Sequence, residues 1–431
     1  MKKASFYTYS FGCRVNQAEK EVIDQEMQKS GFSLNKESPN FVIINTCAVT
    51  NKAEREAKNL IYRLRRENPG TQIVVTGCSA TYWQKHKLLK NLPIDLLVDN
   101  VNKEFLVKIL LKRFSSQPIV NRVGCFRLDK YLNSGRALIK IQDGCQRFCS
   151  FCIVPYLRGL PKSYKINEII GQINKFTNLK EVILTAINTE AFGKDSGETL
   201  IQLIKTVLTD LTIPRISFGS IHPWSINKEF LKYYKEVSPK GRLVNFFHIP
   251  IQSGSNKILS LMKRGYTREE MLEKLNYLHK INPLALIATD VIVGFLDESN
   301  KDFQDTVDFL EKSPISKFHI FRFSKRKNTA ADHIAKRLKE PTPAEKIKRA
   351  KALTELSLKK YYKFLQKNVG RTSTVLFLNN NIDGFQEALL DNQLPIYIKV
   401  TKPIQPARLY EAKILEYKKG RLFGKIIKMR A

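Results

Sequence analysis

Long apolar runs are missing from this sequence, and their absence argues against a membrane-spanning helix. No stretch approaches the roughly 18 uninterrupted apolar residues that such a helix requires. The first residues offer only a brief apolar run before Arg14, without the apolar core and small-residue cleavage site of a secretory signal. Glycine (20) and proline (17) are too scarce for a collagen-like chain. We therefore expect a cytoplasmic, globular protein that does not attach to membranes.

Acidic residues are also scarce. The chain has 40 Asp and Glu against 73 Lys and Arg, which gives a formal net charge of +33. Such an excess attracts polyanions, and nucleic acid is the commonest polyanion inside cells. The alternative is a basic surface that only keeps the protein in solution. We predict contact with nucleic acid, although charge alone does not separate DNA from RNA.

Seven cysteines are present, and six of them fall into two groups of three. Because the cytosol is reducing, grouped cysteines there more often bind metal or take part in chemistry than form disulfides. Cys13, Cys47 and Cys78 each follow a predicted strand within residues 1–113, where strands and helices alternate. This alternation predicts a doubly wound parallel sheet, whose ligands bind at the carboxyl ends of its strands. We expect these cysteines to share a metal site; the alternative is three small buried side chains.

The second group forms a Cys-x3-Cys-x2-Cys motif at Cys145, Cys149 and Cys152. It directly follows the first predicted strand of a second β/α region. Three thiolates can hold three irons of a 4Fe-4S cluster and leave the fourth iron open to an external ligand. The motif fits zinc less well, because a structural zinc site takes four protein ligands and no fourth Cys or His lies nearby in the sequence. This spacing at the start of a β/α barrel is typical of radical S-adenosylmethionine (SAM) enzymes.

The remaining chain divides into three segments. Residues 114–136 carry turn-forming residues, and we interpret them as a linker holding Cys125, a free structural thiol. Residues 137–366 repeat strand and helix about six times and end in a basic helix, which predicts a partial (β/α) barrel. The cysteine motif at its start suggests that this barrel is of radical-SAM type. Residues 367–431 carry short strand-like runs, which predict a small C-terminal all-β barrel. With the doubly wound parallel sheet of residues 1–113, the predicted fold class is α/β.

Residues 1–366 resemble the radical SAM methylthiotransferase family throughout. The matching segments are Phe11-Gly12-Cys13-Arg14-Val15-Asn16-Gln17, Asn45-Thr46-Cys47-Ala48-Val49-Thr50, Thr76-Gly77-Cys78, the stretch from Ile141 to Gly159, His248-Ile249-Pro250-Ile251-Gln252-Ser253-Gly254-Ser255, Met262-Lys263-Arg264-Gly265-Tyr266-Thr267 and Asp290-Val291-Ile292-Val293-Gly294-Phe295. The tail is similar to TRAM, the small RNA-binding β-barrel of this family.

This resemblance implies two 4Fe-4S clusters, one on each cysteine triplet. It also implies SAM as radical source and as methyl donor, with the chemistry at the clusters rather than at a side-chain acid or base. An electron donor such as flavodoxin or ferredoxin would reduce the clusters. Six residues are expected near SAM, each with ordinary packing or a turn as the alternative role: Phe151, Asn188, Gln252, Ser253, Gly294 and Glu298.

The opening motif Cys13-Arg14-Val15-Asn16 resembles the branch that acts on N6-threonylcarbamoyladenosine in tRNA. The expected reaction places a methylthio group at carbon 2 of that base, next to the anticodon at position 37. One alternative is a methylthiotransferase for isopentenyladenosine of tRNA. Another is a non-catalytic iron–sulfur RNA-binding protein, although six intact cluster cysteines argue against a disused site.

Several positions depart from the family pattern. Ala186 replaces a usual glycine, and His222 stands where Glu is common. Leu296-Asp297 replaces Pro-Gly, which puts the turn of that loop in doubt, and Asn328 also replaces a glycine. None of these changes touches a cluster cysteine, so we expect an active enzyme.

Overall fold

A computed structural model describes residues 4–114 and 134–429 of the chain, which form two compact units. The described residues of unit 1 are 4–114, 143–147 and 152–161, and those of unit 2 are 134–142, 148–151 and 162–429. Cys125 and nearly all of the predicted linker lie outside the described residues. Among the residues that the structure describes, none of the helices combines the length and the apolar character that a bilayer crossing demands.

Unit 1 alternates strands and helices around one parallel sheet. Its strands are β1 (Ser5–Ser10), β2 (Ser33–Leu34), β3 (Phe41–Thr46), β4 (Gln72–Gly77) and β5 (Leu96–Val98). Its helices are α1 (Arg14–Lys29), α2 (Asn51–Glu67), α3 (Cys78–Lys85), α4 (Leu106–Arg113) and α5 (Val154–Arg158). The strand order is β2-β1-β3-β4-β5, so the winding direction reverses between β1 and β3. Ligand sites of doubly wound sheets form beside such a reversal.

Helices cover both faces of this sheet, which explains the nearly continuous apolar sequences of its central strands. β3 is buried along its whole length, and only the first residue of β4 is partly exposed. Successive side chains of β3 point to opposite faces, so Val42 and Ile44 enter one core cluster while Phe41 and Ile43 enter the other. The sheet is therefore doubly wound, as the sequence predicts.

Unit 2 begins with a β/α region. Its strands are β6 (Arg136–Asp143), β7 (Lys162–Ser163), β8 (Glu181–Ala186), β9 (Arg215–Phe218), β10 (Phe246–His248), β11 (Leu286–Val293) and β12 (Lys317–Arg322). Its helices are α6 (Ile166–Ile173), α7 (Leu200–Asp210), α8 (Lys228–Val237), α9 (Asn256–Leu261), α10 (Arg268–Ile281), α11 (Asn300–Lys312), α12 (Ala330–Ile334) and α13 (Pro343–Gln366). Sheets β7-β6-β8-β9 and β10-β11-β12 are linked by a parallel bridge between Ile216 and Leu243, which makes a partial barrel.

Helices pack against one face of this partial barrel. Phe247, Val291 and Phe318 on the strands share a core cluster with helix residues such as Leu275 and Leu353. Neighbouring strand positions point to the opposite face, because side chains alternate along a strand. We call this opposite side the inner face.

The chain ends in a closed five-stranded barrel. Its strands are β13 (Thr372–Ile382), β14 (Phe385–Leu389), β15 (Pro395–Lys399), β16 (Leu409–Lys418) and β17 (Arg421–Met429). They close in the order β13-β14-β15-β17-β16 around buried apolar side chains such as Phe377, Ile396 and Leu422. Closure leaves no unpaired sheet edge, which explains how such a short segment folds into a stable element.

The C-terminal barrel packs on the amino-terminal end of the partial barrel. The loop between β14 and β15 reaches the first residues of β8 and β9. There the guanidinium of Arg215 donates to the carbonyl of Leu389 at 3.0 Å, and the amide of Gln393 donates to the Glu181 carboxylate at 2.7 Å. Because Arg215 and Glu181 are buried, this contact covers polar groups that the partial barrel alone would leave uncovered.

The predicted α/β fold class is confirmed, with its parallel sheets and its all-β tail. The predicted domain boundaries at 113, 136 and 366 stay predictions, and the C-terminal barrel joins unit 2 rather than forming a unit of its own. Helix α4 begins at Leu106 instead of residue 103, because residues 103–105 form a 3-10 turn.

Candidate active site and metal centres

The first cysteine triplet lies at the carboxyl edge of the unit 1 sheet. Cys13 precedes α1, Cys47 follows β3, and Cys78 is the first residue of α3. Two glycines allow the chain to crowd there, and both have positive φ angles. A Cβ on Gly12 would lie 2.4 Å from the Cys47 Sγ, and a Cβ on Gly77 would lie equally close to a backbone oxygen of β3. Only glycine fits these two positions.

The three thiols are close enough to affect one another's ionisation. Burial, together with the neighbouring Cys13 and Cys78, raises the pKa of Cys47 to about 12. A thiol in this position stays protonated unless a cation compensates the charge of the thiolate. Metals bind thiolates, and a bound metal supplies that compensation. The donor set therefore fits an iron–sulfur cluster better than it fits three unconnected core residues.

A buried arginine adjoins this triplet. The Arg158 side chain is 1% exposed, and its Nε lies 3.3 Å from the Cys78 Sγ. Its Nη1 pairs with Glu19 at 2.9 Å and with Asp143 at 2.8 Å. Lys103 also contacts Glu19, at 2.7 Å. Burial by itself lowers the pKa of Arg158, but Cys78, Glu19 and Asp143 raise it well above its usual value. The guanidinium is therefore a fixed positive charge beside Cys78, a predicted cluster ligand.

The second triplet lies on the loop after β6, and this loop contributes residues to both units. In unit 1 the backbone N–H of Cys145 donates to the carbonyl of Gly159 at 3.1 Å. In unit 2 Cys149 is buried, and the Nη1 of Arg264 lies 3.3 Å from its Sγ. Arg264 is only 4% exposed, so a second fixed positive charge stands beside a predicted cluster ligand. Cys152 is partly exposed and belongs to unit 1.

Asn188 lies just after β8, at the carboxyl end predicted for it. Its backbone N–H donates to the Gln142 Oε1 at 2.9 Å, and its side chain accepts from the Glu190 backbone at 3.2 Å. These bonds hold the turn, while the expected contact with SAM stays a prediction. Ala186 ends β8 with an ordinary negative φ, so the missing glycine causes no backbone strain.

Gln252 and Ser253 follow β10. Gln252 adopts a φ of 75°, and its backbone N–H donates to the carbonyl of Asp290 at 2.9 Å. The Ser253 hydroxyl is buried and accepts from the backbone N–H of Ser255 at 3.2 Å. The structure thus gives Ser253 a role in holding its own turn, and its expected contact with SAM stays a prediction.

Gly294 and Glu298 belong to one buried arrangement. The backbone N–H of Gly294 donates to the Glu298 carboxylate, which also pairs with Arg349 of α13 at 2.7 Å. Both side chains of this ion pair are at most 5% exposed. Phe151 is partly buried in an apolar cluster that includes Met262 and Phe295. The bonds of Gly294 and Glu298 position the loop after β11, and the packing of Phe151 positions the cysteine loop. The expected contact of these three residues with SAM stays a prediction.

Two family glycines are replaced by residues that tolerate the glycine conformation. Asp297 has a φ of 58° and Asn328 a φ of 67°, both in the left-handed region. Asp and Asn are the non-glycine residues that enter this region most readily. Lys257 pairs with the Asp297 carboxylate at 2.9 Å. The turn at Leu296-Asp297 is therefore made despite the missing Pro-Gly, and Leu296 is fully buried.

His222, which stands where Glu is usual, is held as a neutral imidazole. The backbone N–H of Thr189 donates to its Nδ1 at 3.2 Å, and this nitrogen must be unprotonated to accept. Burial, and after it the positive charge of Arg264, lowers the pKa of His222 to about 3. A carboxylate here would accept the same bond but would add a negative charge.

Sequence reasoning assigned no role to Arg158 or Arg264, whose side-chain nitrogens lie 3.3 Å from the Sγ atoms of Cys78 and Cys149. Both lie inside segments that resemble the family, so the signal was present in the sequence. Their partners are far away in the chain, however. Arg158 meets Glu19 across 139 positions, and Arg264 meets Cys149 across 115.

Two family patterns match this chain. The family described as "Uncharacterized protein family UPF0004" matches residues 5–99, and the radical SAM superfamily matches residues 139–310. Among solved structures, the radical SAM methyltransferase TsrM from Kitasatospora setae superposes with a TM-score of 0.54. The match covers 75% of each chain at 13% sequence identity, which supports the fold alone. The family pattern over residues 139–310, which includes the cysteine loop, defines the class: a radical SAM enzyme.

Two similar proteins narrow the class. The threonylcarbamoyladenosine tRNA methylthiotransferase MtaB of Aquifex aeolicus (strain VF5) is 35% identical, over 88% of this chain and 93% of the relative. The tRNA-2-methylthio-N(6)-dimethylallyladenosine synthase of Thermodesulfovibrio yellowstonii is 31% identical, over 99% of this chain and 100% of the relative. The chain belongs to the radical SAM methylthiotransferase family. It is accordingly an enzyme that uses SAM and 4Fe-4S chemistry.

Proposed function

We propose that this enzyme inserts a methylthio group at carbon 2 of N6-threonylcarbamoyladenosine at position 37 of tRNA. The observation that carries the proposal is the 35% identity to the Aquifex aeolicus threonylcarbamoyladenosine enzyme over nearly its whole length. Cys13-Arg14-Val15-Asn16 supports the same branch. Carbon 2 carries a hydrogen that is neither a leaving group nor usefully acidic, which explains why radical chemistry is needed.

We propose that each cysteine triplet holds one 4Fe-4S cluster: Cys145, Cys149 and Cys152 the radical cluster, and Cys13, Cys47 and Cys78 the auxiliary cluster. When bound and reduced, the radical cluster supplies the electron that cleaves SAM. The chain's own part is to hold and orient the thiolates. Arg264 and Arg158 donate towards Cys149 and Cys78 from buried positions, and such charge-assisted contacts favour the ionised sulfur.

Two elements support the binding of tRNA phosphates. Residues 341–431 contain 19 Lys and Arg against 7 Asp and Glu, an excess of 12 positive charges that falls on α13 and the C-terminal barrel. Phosphate contacts position a nucleic acid without reading its sequence.

A small electron-transfer protein such as flavodoxin or ferredoxin is the proposed electron donor. We place the reaction in the cytoplasm, where tRNA occurs.

Nucleoside mass spectrometry tests the substrate. Purified, reconstituted enzyme is given SAM, a reductant and tRNA that carries either threonylcarbamoyladenosine or isopentenyladenosine. The proposal expects the methylthio product on the threonylcarbamoyl tRNA. Faster conversion of the isopentenyl tRNA would overturn the assigned branch and leave the reaction class intact. This alternative is a serious one, because the 31% identical dimethylallyladenosine synthase is similar over its full length.

Iron analysis tests the two triplets separately. Anaerobic reconstitution should give about eight irons per chain, and about four after the triple change of Cys13, Cys47 and Cys78 to Ala. Cys149→Ala should abolish SAM cleavage, whereas Cys47→Ala should keep some cleavage and lose sulfur insertion. Cys125→Ala is the matched control and should behave as wild type. Methylthio product at near wild-type yield from Cys47→Ala would contradict the auxiliary role.

Truncation of the C-terminal barrel is a poor test of tRNA binding. It would uncover Arg215 and Glu181, which are buried against the loop between β14 and β15. Uncovered and partly unpaired charges destabilise a fold, so lost activity would not report on RNA contact. Point changes of exposed lysines avoid this difficulty.

A further inference from the structure

Two histidines and an aspartate meet on the inner face of the partial barrel. The Nε2 of His248 lies 2.9 Å from the Asp290 Oδ1, and the Nδ1 of His319 lies 3.8 Å from the same oxygen. One nitrogen or oxygen atom from each residue lies within 4.8 Å of the other two. The three side chains come from three adjacent parallel strands, β10, β11 and β12.

Strand register brings these side chains together. Asp290 pairs directly with His319 across β11 and β12, and His248 pairs with Ala288, two residues before Asp290. Side chains two apart on a strand share a face, so all three point to the inner face. Their flanking residues Phe247, Val291 and Phe318 pack into the core on the other side. The cluster is therefore fixed by the sheet and not by a loop.

The spacing suits a small cation. Ligand atoms around a tetrahedral metal, at bond lengths near 2.1 Å, lie about 3.4 Å from one another. The distances between the atoms of this cluster run from 2.9 Å to at most 4.8 Å, on either side of that value. Small side-chain rotations would equalise them without moving a strand.

A further residue orients one of the histidines. The Ser220 hydroxyl, just after β9, lies 2.7 Å from the Nδ1 of His248. If that Nδ1 carries the proton, Nε2 is left unprotonated and faces Asp290. Metal-binding histidines characteristically donate their other ring nitrogen to a nearby acceptor, which fixes the ring and raises its basicity. With a metal on Nε2, the Nδ1–H of His248 would donate to the Ser220 hydroxyl and supply this second feature of a metal site.

We propose that His248, Asp290 and His319 bind one divalent transition-metal ion, separate from both iron–sulfur clusters. Two imidazoles and one carboxylate are the ligands that zinc takes in sites that keep a coordination position open, and other first-row divalent ions accept the same set. His319 is half exposed, so a metal ion can reach the three side chains from solvent. The site is independent of which tRNA nucleoside the enzyme modifies.

Zinc uptake by the cluster-loaded enzyme tests this site. The holoenzyme is dialysed anaerobically against buffered Zn²⁺, and zinc, iron and sulfide are measured per chain. We expect one zinc to bind while iron and sulfide stay constant. His319→Ala should weaken that binding at least about tenfold, because loss of a ligand costs no less than loss of a supporting hydrogen bond.

His333→Ala is the matched control, because it removes another exposed histidine from the same unit. It should bind zinc as wild type does. Both variants should keep their iron content, which shows that they fold. Equal zinc affinity in wild type and His319→Ala would overturn the proposal, as would zinc uptake matched by iron loss. A complete lack of zinc uptake would also overturn it. The two histidines would then be linked only by hydrogen bonds through Asp290.

Discussion

At the scale of single residues, Arg158 decides the electrostatics of the proposed auxiliary cluster. Its guanidinium is buried between Cys78 and the carboxylates of Glu19 and Asp143. A fixed positive charge beside a cluster favours the reduced, more negative state. Arg158→Gln should therefore lower the one-electron reduction potential of that cluster by roughly 65–130 mV, the equivalent of roughly 1.5–3 kcal/mol for one charged hydrogen bond. Redox titration followed by electron paramagnetic resonance measures the shift.

Arg158→Lys is the control for this change. It keeps the charge but loses the fork that reaches Cys78 and Glu19 together. The lysine variant should fall between wild type and glutamine in potential, with about eight irons per chain retained in each variant. An unchanged potential in Arg158→Gln, at full iron content, would mean that the arginine serves only the fold.

His222 makes stability depend on pH. Its folded pKa is about 3, against about 6.5 in an unfolded chain, so only the unfolded state binds a proton near pH 5. The group has no effect above pH 7, and its penalty grows as the pH falls from about 6.5 towards 3. At pH 5.5 it should lower the free energy of unfolding by roughly 1.4 kcal/mol relative to pH 7.5.

His222→Gln removes the titration and keeps an acceptor for the backbone N–H of Thr189. Urea unfolding of the variant should show a smaller loss between pH 7.5 and 5.5 than wild type shows, by about that amount. The same pH dependence in both proteins would show that His222 is protonated in the folded state.

At the scale of elements, α11 and α13 are joined by a lysine. The Nζ of Lys360 donates to the carbonyls of Glu311 at 3.0 Å and Ser313 at 2.7 Å, at the carboxyl end of α11. Helix ends carry unpaired carbonyls and a partial negative charge, which a cation stabilises. Burial lowers the pKa of Lys360 to about 8, so it remains largely charged at pH 7.

Lys360→Met should lower the free energy of unfolding by about 1–2 kcal/mol, because it leaves these carbonyls unpaired. Lys359→Met on the exposed side of α13 is the control and should change it by less than about 0.5 kcal/mol. Chemical denaturation of both variants measures the difference. Equal effects would mean that solvent satisfies the end of α11.

At the scale of the whole molecule, part of the net charge of +33 is concentrated in residues 341–431, and the rest lies elsewhere in the chain. On the C-terminal barrel, Lys413 and Lys425 are direct cross-strand partners on β16 and β17, and both are exposed. Like charges placed opposite one another destabilise a sheet. Such a pair is consistent with selection for binding a polyanion rather than for stability.

The double change of Lys413 and Lys425 to Gln should reduce the salt dependence of tRNA affinity. Each lost phosphate contact lowers the slope of log affinity against log salt by about 0.9, so a change of about 1 to 2 is expected. The same change of Lys232 and Lys235 on α8 removes equal charge from an exposed helix. Fluorescence anisotropy across salt concentrations compares the two. Matching slopes would assign the effect to net charge alone.

Sequence alone determined the elements and the cysteine positions. The alternation of strands and helices, and the apolar runs of β3 and β4, predicted the parallel sheet because helices must cover both its faces. Strand ends then placed Cys13, Cys47 and Cys78 on one edge, since parallel strands end together. The spacing of Cys145, Cys149 and Cys152 identified the class, because those three thiolates share one short loop. All of these are local or periodic signals.

Only the tertiary structure decided which distant side chains meet. Contacts between distant side chains depend on strand order and register, which leave no periodic pattern in the sequence. Examples are Arg158 with Glu19 and Cys78, Arg264 with Cys149, and the cluster of His248, Asp290 and His319. The same holds for the packing of the C-terminal barrel on Arg215. The left-handed backbone conformation of Asp297 could not be predicted from the sequence either. A residue other than glycine keeps this conformation because its surroundings hold it there.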